Sequence, residues 1–310
     1  MKTLRLTSMA FLFALTSACA TNEAPVLKKR ISDMDLKTEK SDGSLRKRLM
    51  VLPFLDAGSV GNPELRQKAR DETIRALNKT QALIVVDSKE LKIDWAKMTV
   101  GGEYNLTEIA KLANSMGVHG VMEAKLMDLK VQSKADPVGV FRQMKTKFES
   151  RARVRILAAR TGRELYNTEK TITLEEANYR VATNPSADRF FQNNPELVEK
   201  LVTDTFLDFT PQIVTSMERM NWEGRVAMVT GERVFLNVGQ VSGLKMGDLL
   251  KVTEDGDEVF DPQSGNYIGK IPGRLKGTLE VISFFGHDGA IAVVHSGAGF
   301  RENDRVELYY

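Results

Sequence analysis

The chain has 310 residues and a formal net charge of +3, from 44 Lys and Arg against 41 Asp and Glu. This near balance argues against nucleic-acid binding, because proteins that bind nucleic acids carry a clustered excess of positive charge. The single cysteine excludes an internal disulfide, so the fold must depend on apolar cores, and the length suits two domains of about 100–200 residues each.

Residues 1–18 have the layout of a secretory signal peptide. Lys2 and Arg5 precede a short apolar stretch at 9–15, and small residues then lead to Cys19. The stretch is too short to span a bilayer, which needs about 20 residues. We therefore predict export, with cleavage before Cys19.

A cysteine directly after the small residues resembles a bacterial lipobox, although Thr16 stands where Leu is usual. The resemblance implies that lipid, including palmitate, anchors the protein through Cys19. Ala20 follows in place of Asp, which by resemblance to Gram-negative lipoproteins implies the outer membrane, with the protein facing the periplasm. The alternative is a plain signal peptide and a coincidental cysteine. After Cys19, the charged, aromatic-poor segment up to residue 46 predicts a disordered tether, so 19–46 form the lipidated tether.

Residues 47–220 predict an α/β (α+β) domain, a mixed sheet with packed helices. Apolar runs and segments of alternating polarity, which predict strands, are separated by segments whose apolar residues have helical spacing. The expected elements are a strand at 48–56, a helix capped by Asn62 and opened by Pro63, a strand at 83–88, a helix from Asn105 or Thr107 to Gly117, strands at 118–131, 151–157 and 164–174, and a long helix at 195–220 with Pro211 as a bend.

Three stretches of this domain resemble the N-terminal domain of the TolB family and the related subunit of the curli secretion channel. They are the opening strand LMVLPFLD, the helix-Gly-strand segment LTEIAKLANSMGVHGVMEAKL, and the strand-turn-strand segment ARVRILAARTGRELYNTEKT. The resemblance implies a TolB-N-like fold, which occurs in periplasmic binding and assembly proteins, and it argues against an enzyme.

The curli channel subunit inserts two membrane hairpins, at places that correspond here to 134–148 and 176–192. A membrane hairpin needs strands of about 9–11 residues with alternating apolar faces. Both segments lack that alternation, and Pro137, Pro185 and several charges oppose it. A secretion channel is therefore the disfavoured alternative.

Residues 221–310 predict a small all-β, SH3-like barrel, because glycine-rich turns separate short alternating strands. The expected strands lie at 224–229, 233–238, 249–253, near 268–271, and at 276–285, 289–295 and 304–308, with a hairpin tip at 254–258. Asn237-Val238-Gly239, the segment 243–248 and the segment 261–265 resemble the C-terminal domain of the flagellar T-ring protein FlgT. The middle domain of that protein is also TolB-like, so two consecutive domains of this chain resemble two consecutive domains of that protein.

Few side chains are candidates for a functional site. Arg151, Arg153 and Arg155 form a basic stripe on one strand, which is either simply solvated or contacts an acidic partner or neighbouring subunit. The acidic run at 254–261 lacks the spacing of a calcium loop and fits a solvated hairpin tip better. His287 and His295 are expected on neighbouring strands but lack a third metal ligand. We predict no catalytic residue, metal or cofactor.

These observations predict a non-catalytic outer-membrane lipoprotein that contacts the membrane through its lipid and binds other envelope proteins. By resemblance, its role is a homo-oligomeric ring of the flagellar basal body, closed by head-to-tail contacts. The alternative is a monomeric lipoprotein regulator that docks on a periplasmic peptidoglycan synthase.

Overall fold

The computed structural model describes residues 44–57, 63–135, 144–176, 195–265, 267–271 and 273–309. The predicted lipidation site Cys19 and the helix cap Asn62 lie outside the described residues. So does most of each segment compared with the curli hairpins. Within the described part, no helix has the length and apolar character needed to span a membrane.

The first half of the described chain forms a mixed sheet with helices on both faces. Its elements are β1 (Lys47–Val51), β2 (Leu55–Asp56), α1 (Pro63–Lys79), β3 (Leu83–Asp87), a 3-10 turn (Trp95–Met98), β4 (Thr99–Val100), β5 (Glu103–Tyr104), α2 (Leu106–Ser115), β6 (Gly120–Ala135), β7 (Met144–Ala158), β8 (Glu164–Glu176), α3 (Pro195–Leu207) and α4 (Thr210–Glu218). The strand order is β3-β1-β6-β7-β8, with β2 beside β6. β1 is parallel to both neighbours, whereas β6, β7 and β8 run antiparallel.

Each sheet face has its own apolar core. α1, α3 and α4 pack on one face, where Leu77, Phe206 and Ile213 are fully buried. α2 and the 3-10 turn cover part of the other face through residues such as Ile109 and Trp95. Along β7 the buried residues alternate with the three arginines, as the sequence pattern predicts. The uncovered part of this second face carries the charged side chains.

The single helix predicted over 195–220 is wrong, because the chain forms two helices with a break at Asp208 and Phe209. Pro211 lies in the first turn of α4, where its missing N–H leaves no intrahelical hydrogen bond unmade. Phe209 is fully buried in the break, and its ring meets Tyr166 edge to face at 6.4 Å. Burial of this aromatic ring therefore accompanies the change in helix direction.

The second half forms a closed barrel with a protruding hairpin. Its strands are β9 (Gly224–Thr230), β10 (Arg233–Leu236), β11 (Leu249–Thr253), β12 (Glu258–Phe260), β13 (Tyr267–Lys270), β14 (Leu275–Phe285), β15 (Gly289–Gly297) and β16 (Arg305–Leu308). The barrel closes in the order β10-β15-β14-β11-β16-β9, and β12 pairs only with β13 among the described strands. The predicted hairpin tip at 254–258 is a connection into β12 instead.

The combination of an α/β sheet and a closed barrel agrees with the fold class expected from the sequence; the TolB-N-like and SH3-like assignments stay predictions. Residues 44–46, which the sequence places in the tether, lie against the barrel. Leu45 packs on the barrel core, and the Arg46 N–H donates to the Ser242 carbonyl at 2.9 Å. Burial of the Leu45 side chain attaches this segment to the barrel.

Candidate functional site

Glu123 of β6 lies at the centre of a charged cluster beneath the β4–β5 hairpin, and only 1% of its side chain is exposed. The Arg153 guanidinium donates to Glu103 and to Glu123, the latter at 3.4 Å. Arg155 donates to the second oxygen of Glu103 at 3.1 Å. The Tyr104 N–H donates to Glu123 at 3.2 Å. Two of the three predicted surface arginines are thus paired within the chain.

The charges of this cluster compensate one another. The hydrogen bond from Arg153 lowers the pKa of Glu103 below its usual range, because it stabilises the carboxylate. Burial, together with the negative charge of Glu123, raises the pKa of Tyr104 to about 12. Both carboxylates have cationic partners at neutral pH, which removes the main cost of burying Glu123. The cluster therefore fixes the hairpin on the sheet.

Arg151 differs from the other two arginines of the stripe. Its side chain is 46% exposed, and its Nη2 lies 4.0 Å from Asp128. With Lys130, Glu149 and Thr171 it lines a shallow cavity of about 140 Å³. A contact between the stripe and a partner stays a prediction for all three arginines, and Arg151 is the one whose guanidinium is most accessible.

Asp288, in the turn between β14 and β15, joins the barrel to the α/β sheet. Its carboxylate accepts from the backbone N–H groups of Gly239 and Ser242, both at 2.9 Å, and from the Ser242 hydroxyl. Arg48 of β1 donates to the same carboxylate at 2.8 Å and to the Asn237 carbonyl. Only 13% of the Arg48 side chain and 8% of the Asp288 side chain are exposed. This buried pair anchors one module to the other.

His119 lies beside this pair, directly before β6, and is 4% exposed. Its Nδ1 lies 3.0 Å from the Arg48 backbone nitrogen, and its Nε2 lies 3.1 Å from the Glu223 backbone nitrogen. A neutral imidazole has one acceptor nitrogen, so it accepts from only one of these N–H groups at a time. Burial, with the positive charge of Arg48, lowers the pKa of His119 to about 3. The ring is therefore neutral at physiological pH.

Arg225 of β9 forms a third link between the modules. Its guanidinium donates to the Asn114 side chain of α2 at 2.9 Å and to the Asn303 carbonyl at 3.0 Å, and it pairs with Asp255 at 2.8 Å. Its backbone N–H donates to the Asn237 side chain at 2.8 Å. We call the links made by Asp288, His119 and Arg225 the buried joint.

The turn after α2 must approach this joint closely, and Gly117 allows it. Gly117 has a φ of +72°, and a Cβ atom there would lie 2.5 Å from the Asn237 side-chain nitrogen. Gly101 has a similar φ of +61° but open space around it. Gly101→Ala should therefore cost only the left-handed backbone strain, about 1–2 kcal/mol.

Gly117→Ala should cost about 1–3 kcal/mol more than Gly101→Ala, because Asn237 must also move. Urea unfolding of both variants measures the difference in the free energy of unfolding. Equal losses in the two variants would show that Asn237 does not pack against Gly117 in solution.

A cavity of about 360 Å³ opens beside the joint at one end of the barrel. Its polar lining includes Arg46, Gln240 and His287, and its apolar lining includes Phe284 and Phe285. His287 lies in the β14–β15 turn and His295 on β15, so their predicted place on neighbouring strands is wrong. Among the described residues no three His, Cys, Asp or Glu side chains are grouped to hold a metal.

Two carboxylates of the acidic run also have partners within the chain. Asp255 pairs with Arg225, and Asp261 accepts from the N–H groups of Gln263 and Ser264. Those turn hydrogen bonds lower the pKa of Asp261. This arrangement agrees with a turn-forming role of Asp261.

Sequence reasoning missed the buried joint. Asp288 is not among the residues predicted from the sequence, because a short turn of this kind does not show which distant loop its aspartate caps. A usable signal was the segment Asn237-Val238-Gly239, which the resemblance to the flagellar protein singled out.

No protein-family model and no curated protein matches this sequence. Among solved structures, hypothetical protein CT253 from Chlamydia trachomatis is 13% identical, with a TM-score of 0.35 over 56% of this chain and 98% of that one. Lipoprotein GNA1162 from Neisseria meningitidis is 14% identical, with a TM-score of 0.30 over 50% and 96%. A minor lipoprotein from Acinetobacter baumannii is 10% identical, with a TM-score of 0.28 over 55% and 92%.

Proposed function

We propose that this chain is a lipid-anchored, non-catalytic assembly subunit of a bacterial envelope machine, specifically a ring component at the outer-membrane end of the flagellar basal body. The anchor is the lipid on Cys19, and the sequence resemblances to the TolB and FlgT domains point to the flagellar ring. The α/β sheet and the barrel are the parts that make protein contacts.

The observation that supports a non-catalytic role is where the perturbed side chains lie. In enzymes, groups with displaced pKa values gather in a cleft, where their chemistry is used. Here burial displaces the pKa values of His119 and Tyr104, and the hydrogen bond from Arg153 displaces that of Glu103. None of these three residues lines either of the two cavities described above. These groups therefore stabilise the folded protein.

Cohesion of the two modules is useful to a ring subunit. A head-to-tail ring closes only when each subunit presents its two contact surfaces at a fixed angle. The buried joint holds the barrel and the sheet together at Arg48–Asp288 and at Arg225–Asn114. A lipid would add to this by confining subunits to the membrane plane, which raises their effective concentration.

Intact-mass measurement of the exported protein tests the anchor. The wild-type chain should lose residues 1–18 and gain the mass of a diacylglyceryl group and an amide-linked acyl chain on Cys19. Cys19→Ser should lack both changes and leave the outer-membrane fraction. A wild-type chain that is cleaved but unmodified would contradict lipid anchoring, and absence from purified basal bodies would contradict the flagellar assignment.

A further inference from the structure

The cavity at the end of the barrel combines cationic and apolar walls. Arg46, Gln240 and His287 supply hydrogen-bond donors, and Phe284 and Phe285 supply apolar surface. Phe285 is 44% exposed, and its ring meets Phe235 edge to face at 5.8 Å. A guanidinium with nearby donors is suited to a phosphate oxygen, and an adjacent apolar wall is suited to the carbon chain that bears the phosphate.

The charge of this end of the barrel is available to a ligand. Among the described residues, the Arg46 guanidinium and the Lys245 ammonium form no ion pair. Asp288 also lines the cavity, but Arg48 neutralises it at 2.8 Å. Asp248 accepts from the Lys245 backbone N–H at 2.8 Å and so closes its own turn. The local balance therefore favours an anion.

Three exposed apolar side chains lie on the outside of the barrel, and one of them, Ile282, is two positions before Phe284 of the cavity wall. Met246 is 67% exposed, Tyr309 is 55% exposed and Ile282 is 41% exposed. Ile282 lies on β14, Met246 in the turn before β11, and Tyr309 directly after β16. The backbone hydrogen bonds from Gly247 to Val281 and from Tyr309 to Leu249 bring these segments together. Such a group, beside cations, is typical of surfaces that enter the headgroup region of a bilayer. We call the cavity and these three residues the barrel-end patch.

The first described residue of the chain also lies beside the barrel-end patch. Ser44 is the first residue that the structure describes, and its carbonyl oxygen lies 2.8 Å from the place of a Cβ on Gly243. Gly243 is three positions before Met246. The segment from Cys19 to Ser44 spans at most about 90 Å when fully extended, so the patch is tethered near the lipid.

We propose that the barrel-end patch docks on the surface of a bilayer that contains anionic phospholipids, with a lipid phosphate in the cavity beside Arg46. This inference rests on the proposed lipid anchor for its biological setting, but the docking itself does not require the lipid. The bilayer and the tether together would then set the orientation of the body on the membrane.

Vesicle sedimentation of the chain from position 19 onward, carrying Cys19→Ser, tests the docking without the acyl anchor. This protein keeps every described residue. We expect it to bind vesicles of phosphatidylethanolamine and phosphatidylglycerol, and to bind phosphatidylcholine vesicles much more weakly. Arg46→Gln should reduce binding to the anionic vesicles about fivefold, since one basic residue near an anionic surface contributes about 1 kcal/mol.

Matched variants distinguish the patch from a general effect of charge or hydrophobicity. Arg163→Gln removes the same charge from the exposed β7–β8 turn, and Val100→Ser removes a 72% exposed apolar side chain from the β4–β5 hairpin. Both should bind within twofold of the parent, whereas Met246→Ser should bind more weakly. No vesicle binding, or equal losses in Arg46→Gln and Arg163→Gln, would overturn the docking and leave the anchor as a separate question.

Discussion

Asp288→Ala is expected to lower the free energy of unfolding by about 3–5 kcal/mol, because it leaves the buried Arg48 guanidinium without its carboxylate. The same change removes the acceptor of the Gly239 and Ser242 N–H groups. Guanidinium-induced unfolding, followed by fluorescence and by circular dichroism, measures the loss. We also expect separated transitions for the sheet and the barrel, since this carboxylate joins them.

Two further variants test whether the loss of stability is specific to the buried ion pair. Asp288→Asn keeps an acceptor oxygen, so its free energy of unfolding should fall less than that of Asp288→Ala. Glu199→Ala breaks the exposed pair with Lys68 and should change stability by less than about 1 kcal/mol. A loss at Asp288→Ala no larger than at Glu199→Ala would contradict the view that a buried ion pair holds the modules together.

Acid is expected to destabilise the protein through His119. The pKa of His119 is about 3 in the folded chain, against about 6.5 for an exposed imidazole in the unfolded chain. Between these values the unfolded chain binds a proton that the folded chain does not, so unfolding is favoured as the pH falls. The contribution is absent above about pH 7.5 and amounts to about 3 kcal/mol at pH 4.5.

Unfolding free energies of the wild type and His119→Gln, measured from pH 7.5 to 4.5, test this linkage. Other titrating groups are common to both proteins, including Glu223, whose burial raises its pKa and acts in the opposite direction. The free energy of unfolding of the wild type minus that of His119→Gln should therefore decrease by about 3 kcal/mol as the pH falls from 7.5 to 4.5. His295→Gln, which removes an exposed histidine from β15, is the control for loss of an imidazole away from the buried joint. Parallel curves for the wild type and His119→Gln would contradict a neutral, buried His119.

The local pattern of apolar residues was sufficient to predict most of the strands and helices. Pro63 opens α1, Leu249–Thr253 forms β11, and the alternation around Val154 marks β7 as half-buried. These elements follow from the spacing of apolar residues within one segment. The 3-10 turn at Trp95–Met98 and the two-residue strands after it were missed, because so few residues carry no period.

The candidate sites depend on contacts between distant segments, which a single sequence does not reveal. Arg153 and Arg155 were correctly placed on one face of a strand, yet Glu103, fifty residues earlier in the chain, pairs with them. Asp288 caps a loop that begins at Gly239 and binds Arg48 at the other end of the chain. Because charge and turn chemistry are local properties, they do not show which partner the fold supplies.

The central claim is that this protein is a lipid-anchored subunit of a ring. Its most direct test is the particle mass of the protein extracted in mild detergent, measured beside the Cys19→Ser variant. We expect a large, defined oligomer of the wild type that is weakened when the lipid is lost. A clean monomer of the wild type at all concentrations would contradict an autonomous ring and would favour the peptidoglycan-synthase regulator instead.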